Sequence, residues 1–243
     1  MMGAFIAWLA LTKFNVNYWV ALIAAPLLVG LFGVILERTM LRKLYKLDHL
    51  YGLLLTFGLA LIIEGVFRDQ FGISGESYDV PDALAGGINL GFMFLPIYRA
   101  WVIVASLTVC FGTWYMIEKT RLGAYLRAGT ENSQMVQALG INVPLLITFT
   151  YGYGVALAAF AGVLAAPVFQ VNPLMGSNLI IVVFAVVVIG GMGSILGSIV
   201  TGIGLGLIEG LTRVFYPEAS AVVVFVIMVI VLLVRPAGLF GKA

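Results

Sequence analysis

Histidine and cysteine are almost missing from this chain: each occurs once, as His49 and Cys110. With one of each, a conventional transition-metal site cannot be assembled and an intramolecular disulfide is impossible. Cys110 lies inside an apolar run, where packing is the ordinary use of a free thiol. Charge is scarce as well. Only 10% of the residues are Asp, Glu, Lys or Arg, against 62% hydrophobic and a mean hydropathy of +1.12. From Asn132 to Ile208 there is no acidic, basic or histidine side chain at all. That composition excludes an ordinary soluble domain and defines an integral membrane protein. The net charge of +2 gives no reason to expect nucleic acid, because the basic residues gather in loops between apolar runs. Nucleotide-hydrolysing chemistry is missing too: no GxxxxGK[ST] occurs, and the terminal Gly241-Lys242 lacks both the spacing and the hydroxyl. No Ser/His/Asp arrangement looks catalytic. The sequence therefore predicts no catalytic residue, no metal and no cofactor.

What is present is a succession of apolar runs. Met1 to Leu11 is short for a bilayer crossing, which takes about 20 residues, and it lacks the features of a signal peptide, so it reads as the second half of a helix. Tyr18 to Leu36 is a full span with Pro26 inside, followed by a basic loop, Glu37 to His49, that carries Arg38, Arg42, Lys43 and Lys46. Leu50 to Phe67 spans next. Arg68 to Arg99 is a long polar excursion with turn signals at Gly72, Gly75, Pro81 and Gly86-Gly87. Further spans run over Ala100 to Ile117, Pro144 to Ala166 and Ala219 to Val234, and Arg235-Pro236 ends the last. As one helix, Asn178 to Ile208 would be roughly 46 Å long, well beyond a ~30 Å hydrocarbon core. Split at Gly190 to Ser194, it gives two short crossings or half-helices. Two crossings place nine of the 13 Lys and Arg on one side and a single crossing places eight there, so charge favours the split. The fold class is all-α: a single polytopic membrane domain over residues 1–243, with about eight transmembrane or half-transmembrane helices. Gly193 with Gly197, and Gly202 with Gly206, form GxxxG pairs that predict close helix–helix contact. Gly190, Gly191, Gly193 and Gly197 are packing candidates, and secondarily candidates for a pathway where backbone groups open.

Glu118 to Pro144 is the longest strongly polar interruption in the second half, and its Lys119, Arg121 and Arg127 place it on the cytoplasmic side. Thr130 and Asn132 are both good N-caps, Glu131 suits a helix N-terminus, and Gly140 suits a left-handed C′ position. Between them Met135, Val136 and Leu139 make a short apolar stripe. So short a helix is marginal alone in water, which leaves a loop helix resting on its own bundle or a docking helix for a cytoplasmic partner. Glu64 and Glu209 are read as the acids near span interiors, each with an arginine four residues on, Arg68 and Arg213, as a structural ion pair requires. Scarce intramembrane charge counts against an ion-coupled carrier.

Three blocks in order, KTRLGAYLRAGTENSQMVQALGINVP, VVVIGGMGSILGSIVTGIGLGLIEG and LLVRPAGLFGK, resemble the permease subunit of bacterial branched-chain amino-acid ABC importers. The resemblance runs from Met2-Gly3-Ala4 to the C-terminus. It implies a multi-pass protein of the bacterial inner membrane, surrounded by lipid, that translocates branched-chain amino acids. Its implied partners are a second permease subunit, two cytoplasmic ATP-binding subunits that hydrolyse the ATP, and a periplasmic substrate-binding protein. The stretch from Glu118 then corresponds to the coupling loop that docks on the ATPase, through Arg127, Ala128, Asn132, Met135, Val136, Leu139 and Gly140. Permeases for urea and short amides are similar across the same blocks, and an ion-coupled secondary transporter or channel is the remaining alternative. The family ordinarily has a further N-terminal helix and a stretch ending in Asn-Phe-Ala-His-Gly, and on that comparison the chain reads as N-terminally truncated.

The charge pattern makes a topological prediction. Arg38 to Lys46 and Lys119 to Arg127 face the cytoplasm, and the Arg68 to Arg99 loop faces the periplasm. In a Cys110→Ala background, an impermeant maleimide applied to intact cells labels a cysteine at Ser77 and not one at Ser133; the opposite pattern overturns the orientation.

Overall fold

In hydrocarbon every backbone amide needs a partner within the chain, so apolar runs of this length fold as helices. The computed structural model, which describes residues 1–45, 47, 49–89 and 94–241, is accordingly almost all α-helix. The expectations resting on Lys46 and Lys242 lie outside those residues. Among the described residues, five helices are long and apolar enough to cross a membrane, and three shorter apolar helices accompany them.

The chain forms two compact units, Met1–Met175 and Gly176–Ala243. The first contains α1 (Met2–Phe14), α2 (Tyr18–Leu36), α3 (Arg42–Leu44) and α4 (His49–Phe71), then α5 (Ile97–Lys119), α6 (Arg121–Glu131), α7 (Ser133–Ala138) and α8 (Val143–Ala165). The polar excursion before α5 holds a two-stranded ribbon, β1 (Gly87–Asn89) against β2 (Phe94–Pro96), with Ile88 opposite Leu95. An antiparallel bridge also ties that excursion to the loop after α8: Glu76 and Val171 exchange both amide bonds at 2.9 Å. Here the structure adds strand to an all-helical expectation, because turn-rich polar segments still need partners for their amides.

Where the sequence ends a span at Leu36, the structure does not. The Glu37 amide still donates to the Gly33 and Val34 carbonyls, and the Arg42 amide reaches back five residues to Glu37. The result is a π-turn over Glu37–Leu41 that carries α2 into α3, so one continuous helical rod runs from Tyr18 to Leu44. Single π-turns inside α-helices recur at functional positions.

The core of the first unit forms where α1 lies across α2 and α8. Ala4, Phe5 and Ala7 are fully buried, and Gly3 approaches α8 so closely that a Cβ there would collide with the Ala159 carbonyl. Phe5 packs against Phe67 and Phe71 of α4, with ring centres 4.8 and 5.1 Å away. Tyr98 of α5 donates to the Leu164 carbonyl at 3.0 Å, so the proton in its 3.1 Å contact with Tyr18 belongs to Tyr18. Both phenols are thereby satisfied inside the bundle, as buried hydroxyls require.

Helices α2 and α8 make the closest pairing in the unit. A Cβ on Gly30 would lie 2.9 Å from the Ala156 Cβ, and one on Gly33 would lie 3.0 Å from Val155. On the facing side Gly152 leaves no room for a Cβ against Val34. Lipid gives helices no hydrophobic reason to associate, so backbone proximity through small residues supplies the attraction. Gly154, by contrast, has nothing within 4 Å of its Cβ position.

In the second unit α9 (Met175–Gly190) and α10 (Ile195–Phe215) form an antiparallel pair, followed by α11 (Ser220–Val234). Gly190 lies against Gly197 and Ser198, while Thr201 donates to the Val186 carbonyl at 3.3 Å, so the two helices run past each other in opposite directions. The segment from Asn178 to Ile208 is thus two helices, divided within Gly190 to Ser194 as its length favoured. Ala185 and Ile189 of α9, Leu205 of α10 and Val224 of α11 make the small core of this unit.

Substituting Gly30 with leucine forces α2 and α8 apart, while Gly154→Leu places the same side chain in open space. Overpacking of this kind costs roughly 1–3 kcal/mol. Thermal unfolding in detergent therefore shows a lowered midpoint for Gly30→Leu and an unchanged one for Gly154→Leu; equal midpoints mean that the seam is not packed this way.

Candidate functional site

The basic end of the first unit carries the polar stretch from Glu118 to Pro144, and its conformation is specified residue by residue. Thr120 takes an extended conformation (φ −106°, ψ 164°) that ends α5 and starts α6. Gly123 then folds onto the last turn of α5, where a Cβ would collide with the Ile117 carbonyl. Arg127 returns to the same place, with Nη1 donating to Ile117 O at 3.0 Å and to Glu118 Oε2 at 3.3 Å. A guanidinium on the last carbonyls of a helix is favoured by the helix dipole, whereas its half-exposed ion pair with Glu118 adds little. Arg127 thus fastens α6 to α5, and Ala128 accepts the Asn132 amide at 3.0 Å that closes α6.

Asn132 breaks the chain between α6 and α7 (φ −147°, ψ 91°), and its side chain accepts the Met135 amide at 3.0 Å. Of the two N-caps expected for this helix, only Asn132 serves. Thr130 lies inside α6 and donates to the Arg127 carbonyl at 2.8 Å, and Glu131 is the last residue of α6 rather than an anion at the start of α7. The reason is that the polar stretch folds as two short helices, not one. Gly140 closes α7 with φ +84°: its amide donates to Gln137 O at 2.9 Å, and the Ile141 amide donates to Val136 O at 3.3 Å. That is the paired hydrogen bonding of a Schellman cap, which needs the left-handed backbone only glycine adopts freely. Two residues after Gly140, Asn142 caps α8 by accepting the Leu145 amide at 3.2 Å.

The apolar stripe divides between two directions. Val136 is 6% exposed and turns into the bundle, whereas Met135 and Leu139 are 65% and 74% exposed.

Beside this segment lies a cavity of about 730 Å³, walled by Leu41, Tyr45, Leu53, Tyr125, Ser133 and Leu146 among others. Behind it sits the acid that sequence reasoning missed. Glu37 is 1% exposed within the π-turn; Thr148 of α8 donates to its Oε2 at 2.7 Å and Tyr45 to its Oε1 at 3.1 Å. Burial, and then the Glu37 carboxylate beside it, push the Tyr45 phenol up to about 12, so it stays a neutral donor at neutral pH. Glu37 therefore joins the acids near span interiors, where the sequence placed only Glu64 and Glu209. The signal was available: Gly30, Gly33 and Glu37 fall at i, i+3 and i+7, the helix face that meets α8. Of the expected glutamate–arginine pairs, Glu209 and Arg213 are bonded at 2.8 Å.

The glycine candidates of the second unit have separate tasks. Gly191 (φ +96°) and Gly193 (φ +90°) form the turn between α9 and α10, outside any helix. Gly193 and Gly197 are therefore not a helical GxxxG: Gly193 has open space around its Cβ position, and only Gly197 makes the close approach, to the Gly190 carbonyl. The pair at Gly202 and Gly206 likewise leaves Gly206 open. Ser194 caps α10 through the Gly197 amide at 3.1 Å. The C-terminal stretch closes the other side, its Leu239 and Phe240 amides donating to the Ile189 and Gly190 carbonyls at 2.8 and 3.2 Å. The final carbonyls of α9 are thus satisfied by the tail, and Gly191 and Gly238 lie back to back, with a Cβ on Gly238 only 2.5 Å from the Gly191 Cα.

A bundle of apolar helices, five of them long enough to cross a bilayer, with a capped polar segment at its basic end marks a polytopic membrane protein. The chain belongs to the family described as branched-chain amino acid transport system / permease component, whose model matches residues 1–232. It is similar to the high-affinity branched-chain amino acid transport system permease protein BraD of Pseudomonas aeruginosa, at 31% identity covering 100% of this chain and 83% of that protein. LivH of Escherichia coli, named for the same kind of system, is 28% identical over 100% of this chain and 78% of its own length. The ribose import permease protein RbsC of Haemophilus influenzae is 26% identical over 75% of this chain and 57% of that protein. No solved structure matches the chain.

The two turn glycines separate backbone strain from steric collision. A non-glycine residue in left-handed conformation costs about 1–3 kcal/mol. Gly193→Ala carries that cost alone, while Gly191→Ala also drives a methyl into Gly241. Both variants lower the unfolding midpoint in detergent, Gly191→Ala more; equal shifts would show that the tail does not pack on the turn.

Proposed function

We propose that this chain is a membrane-spanning subunit of an ABC importer that carries branched-chain amino acids across the bacterial inner membrane. Two cytoplasmic ATP-binding subunits hydrolyse the ATP, a second permease completes the pathway, and a periplasmic binding protein delivers substrate. The observation that carries the reading is the α6–α7 segment: a doubly capped helix presenting Met135 and Leu139 outward at the basic end. Basic residues mark the cytoplasmic side of membrane proteins, which puts that helix where an ATPase is available. Cytoplasmic closure of the ATPases moves the docked helices and reorients the bundle between outward and inward access. The match to BraD and LivH along the full chain supports an amino-acid substrate, whereas the ribose permease covers three quarters of it.

Leu139→Arg tests the docking. If Leu139 enters a groove on an ATPase, the arginine leaves an unpaired charge in a desolvated contact, and losing such an anchor costs about 2 kcal/mol or more. Because Leu139 is exposed in this chain, insertion and folding are unaffected. The expected result is a normal permease level with lost co-purification of the ATPases and lost ATP-dependent leucine, isoleucine and valine uptake. Retention of both by Leu139→Arg refutes the docking role. Uptake of urea or short amides in place of aliphatic amino acids by the unsubstituted assembly corrects the substrate.

A further inference from the structure

Glu37 is a buried acid that accepts from two hydroxyls, and among the described residues no cation pairs with it. A carboxylate is an expensive group to place in a membrane bundle, and one kept there marks function by default. Its position is specific in three ways. It lies in the π-turn that deforms the α2–α3 rod; it reaches across to Thr148, 111 residues away on α8; and it holds Tyr45, a wall of the cavity that borders the α6–α7 segment. Helix α8 is joined to α7 through only the capped stretch from Leu139 to Asn142, so displacement of α7 is delivered straight to the first turns of α8. Thr148 is in those turns.

We infer that Glu37 is a positioning residue for transport: it clamps α8 to the π-turn at the end of α2, so that movement of the α6–α7 segment is passed to both helices together. The inference rests on the importer reading and adds to it the link between docking helix and bundle. Further along the same pair, Gly30, Gly33 and Gly152 keep the backbones in contact, and the clamp completes that seam at its basic end. The donor count gives the clamp a distinctive chemistry. Thr148 Oγ1 lies 2.7 Å from Glu37 and 3.0 Å from the Pro144 carbonyl, and it has one proton for two acceptors. Glutamine at position 37 resolves this: its amide donates to Thr148, Thr148 donates to Pro144, and its carbonyl still accepts from Tyr45. Methionine keeps the length and removes both bonds.

The test uses the complete importer in proteoliposomes, reading ATP hydrolysis and leucine uptake separately. Glu37→Met and Thr148→Val keep assembly and ATP hydrolysis, while uptake per ATP falls roughly 2- to 30-fold, the range by which single residues alter coupling between sites. Glu37→Gln restores the ratio, a rescue that a purely volumetric role does not give. Unchanged uptake per ATP in both Glu37→Met and Thr148→Val overturns the clamp, as does a Glu37→Gln complex that assembles but transports no better than Glu37→Met. If Glu37→Met fails to assemble, Thr148→Val, which removes one hydroxyl without changing shape, decides by the same ratio. The unsubstituted assembly is the arm that judges the underlying reading: no ATP-driven uptake there refutes the importer itself, whereas a normal control with unaffected variants refutes only the clamp.

Discussion

The α2–α8 pairing is the contact on which the first unit depends, and it works because nothing stands between the two backbones. In water, apolar side chains associate because they leave the solvent; in lipid that gain is absent, and dispersion at short range has to replace it. Dispersion falls steeply with separation, so the missing side chains of Gly30, Gly33 and Gly152 matter more than any large side chain at the seam. The same logic extends to α1, which crosses α8 at Gly3 and Ala159. Once these backbones are in contact, the aromatic residues of α4 and α5 fill the outer layer, and the hydroxyls of Tyr18, Tyr98 and Thr148 find partners without water.

The helices were legible because one rule fixes them: a long apolar run has no stable alternative in hydrocarbon. Their ends were harder to read. Composition set the end of α2 at Leu36 because Glu37 and Arg38 are polar, yet the hydrogen-bond ladder continues to Leu44. Polarity reports solvation, and Glu37 is solvated by Thr148 and Tyr45 in place of water. Following the face defined by Gly30 and Gly33 for one more turn would have found it, since helix periodicity is indifferent to the charge of the next residue. The capped α7 was legible for the opposite reason. Asn132 and Gly140 act through their own backbone and nearest neighbours, so the sequence carries the whole signal. Helix α6 was not, because its anchor, Arg127 on Ile117 O, depends on how α5 and α6 meet.

Glycines show how one letter serves different physics. Gly197 is needed for space, Gly193 for a left-handed backbone, and Gly191 for both. Spacing alone turned the first two into a helical packing motif; the turn between α9 and α10 separates them. The tail that closes over this turn explains why two distant glycine-rich stretches belong together: amides of Leu239 and Phe240 finish the helix that Gly191 ends. Neither stretch can be read without the other, because each supplies the hydrogen-bond groups that the other lacks.

The polar segment at the basic end solves a problem that an isolated helix of six residues cannot. Nucleating so short a helix is unfavourable in water, and a segment that folded only on contact with a partner would lose affinity to the ordering entropy. Here the ordering is done beforehand. Asn132 and the Gly140 cap satisfy both ends, Val136 holds the middle to the bundle, and Met135 and Leu139 stay exposed. Rigid connection has a second consequence. A flexible loop would absorb any displacement of α7, but the capped stretch into α8 leaves few free dihedrals between Leu139 and Thr148. In the proposed importer, stiffness at the surface and hydrogen bonding at Glu37 serve one purpose, that force applied to two exposed side chains reaches the bundle.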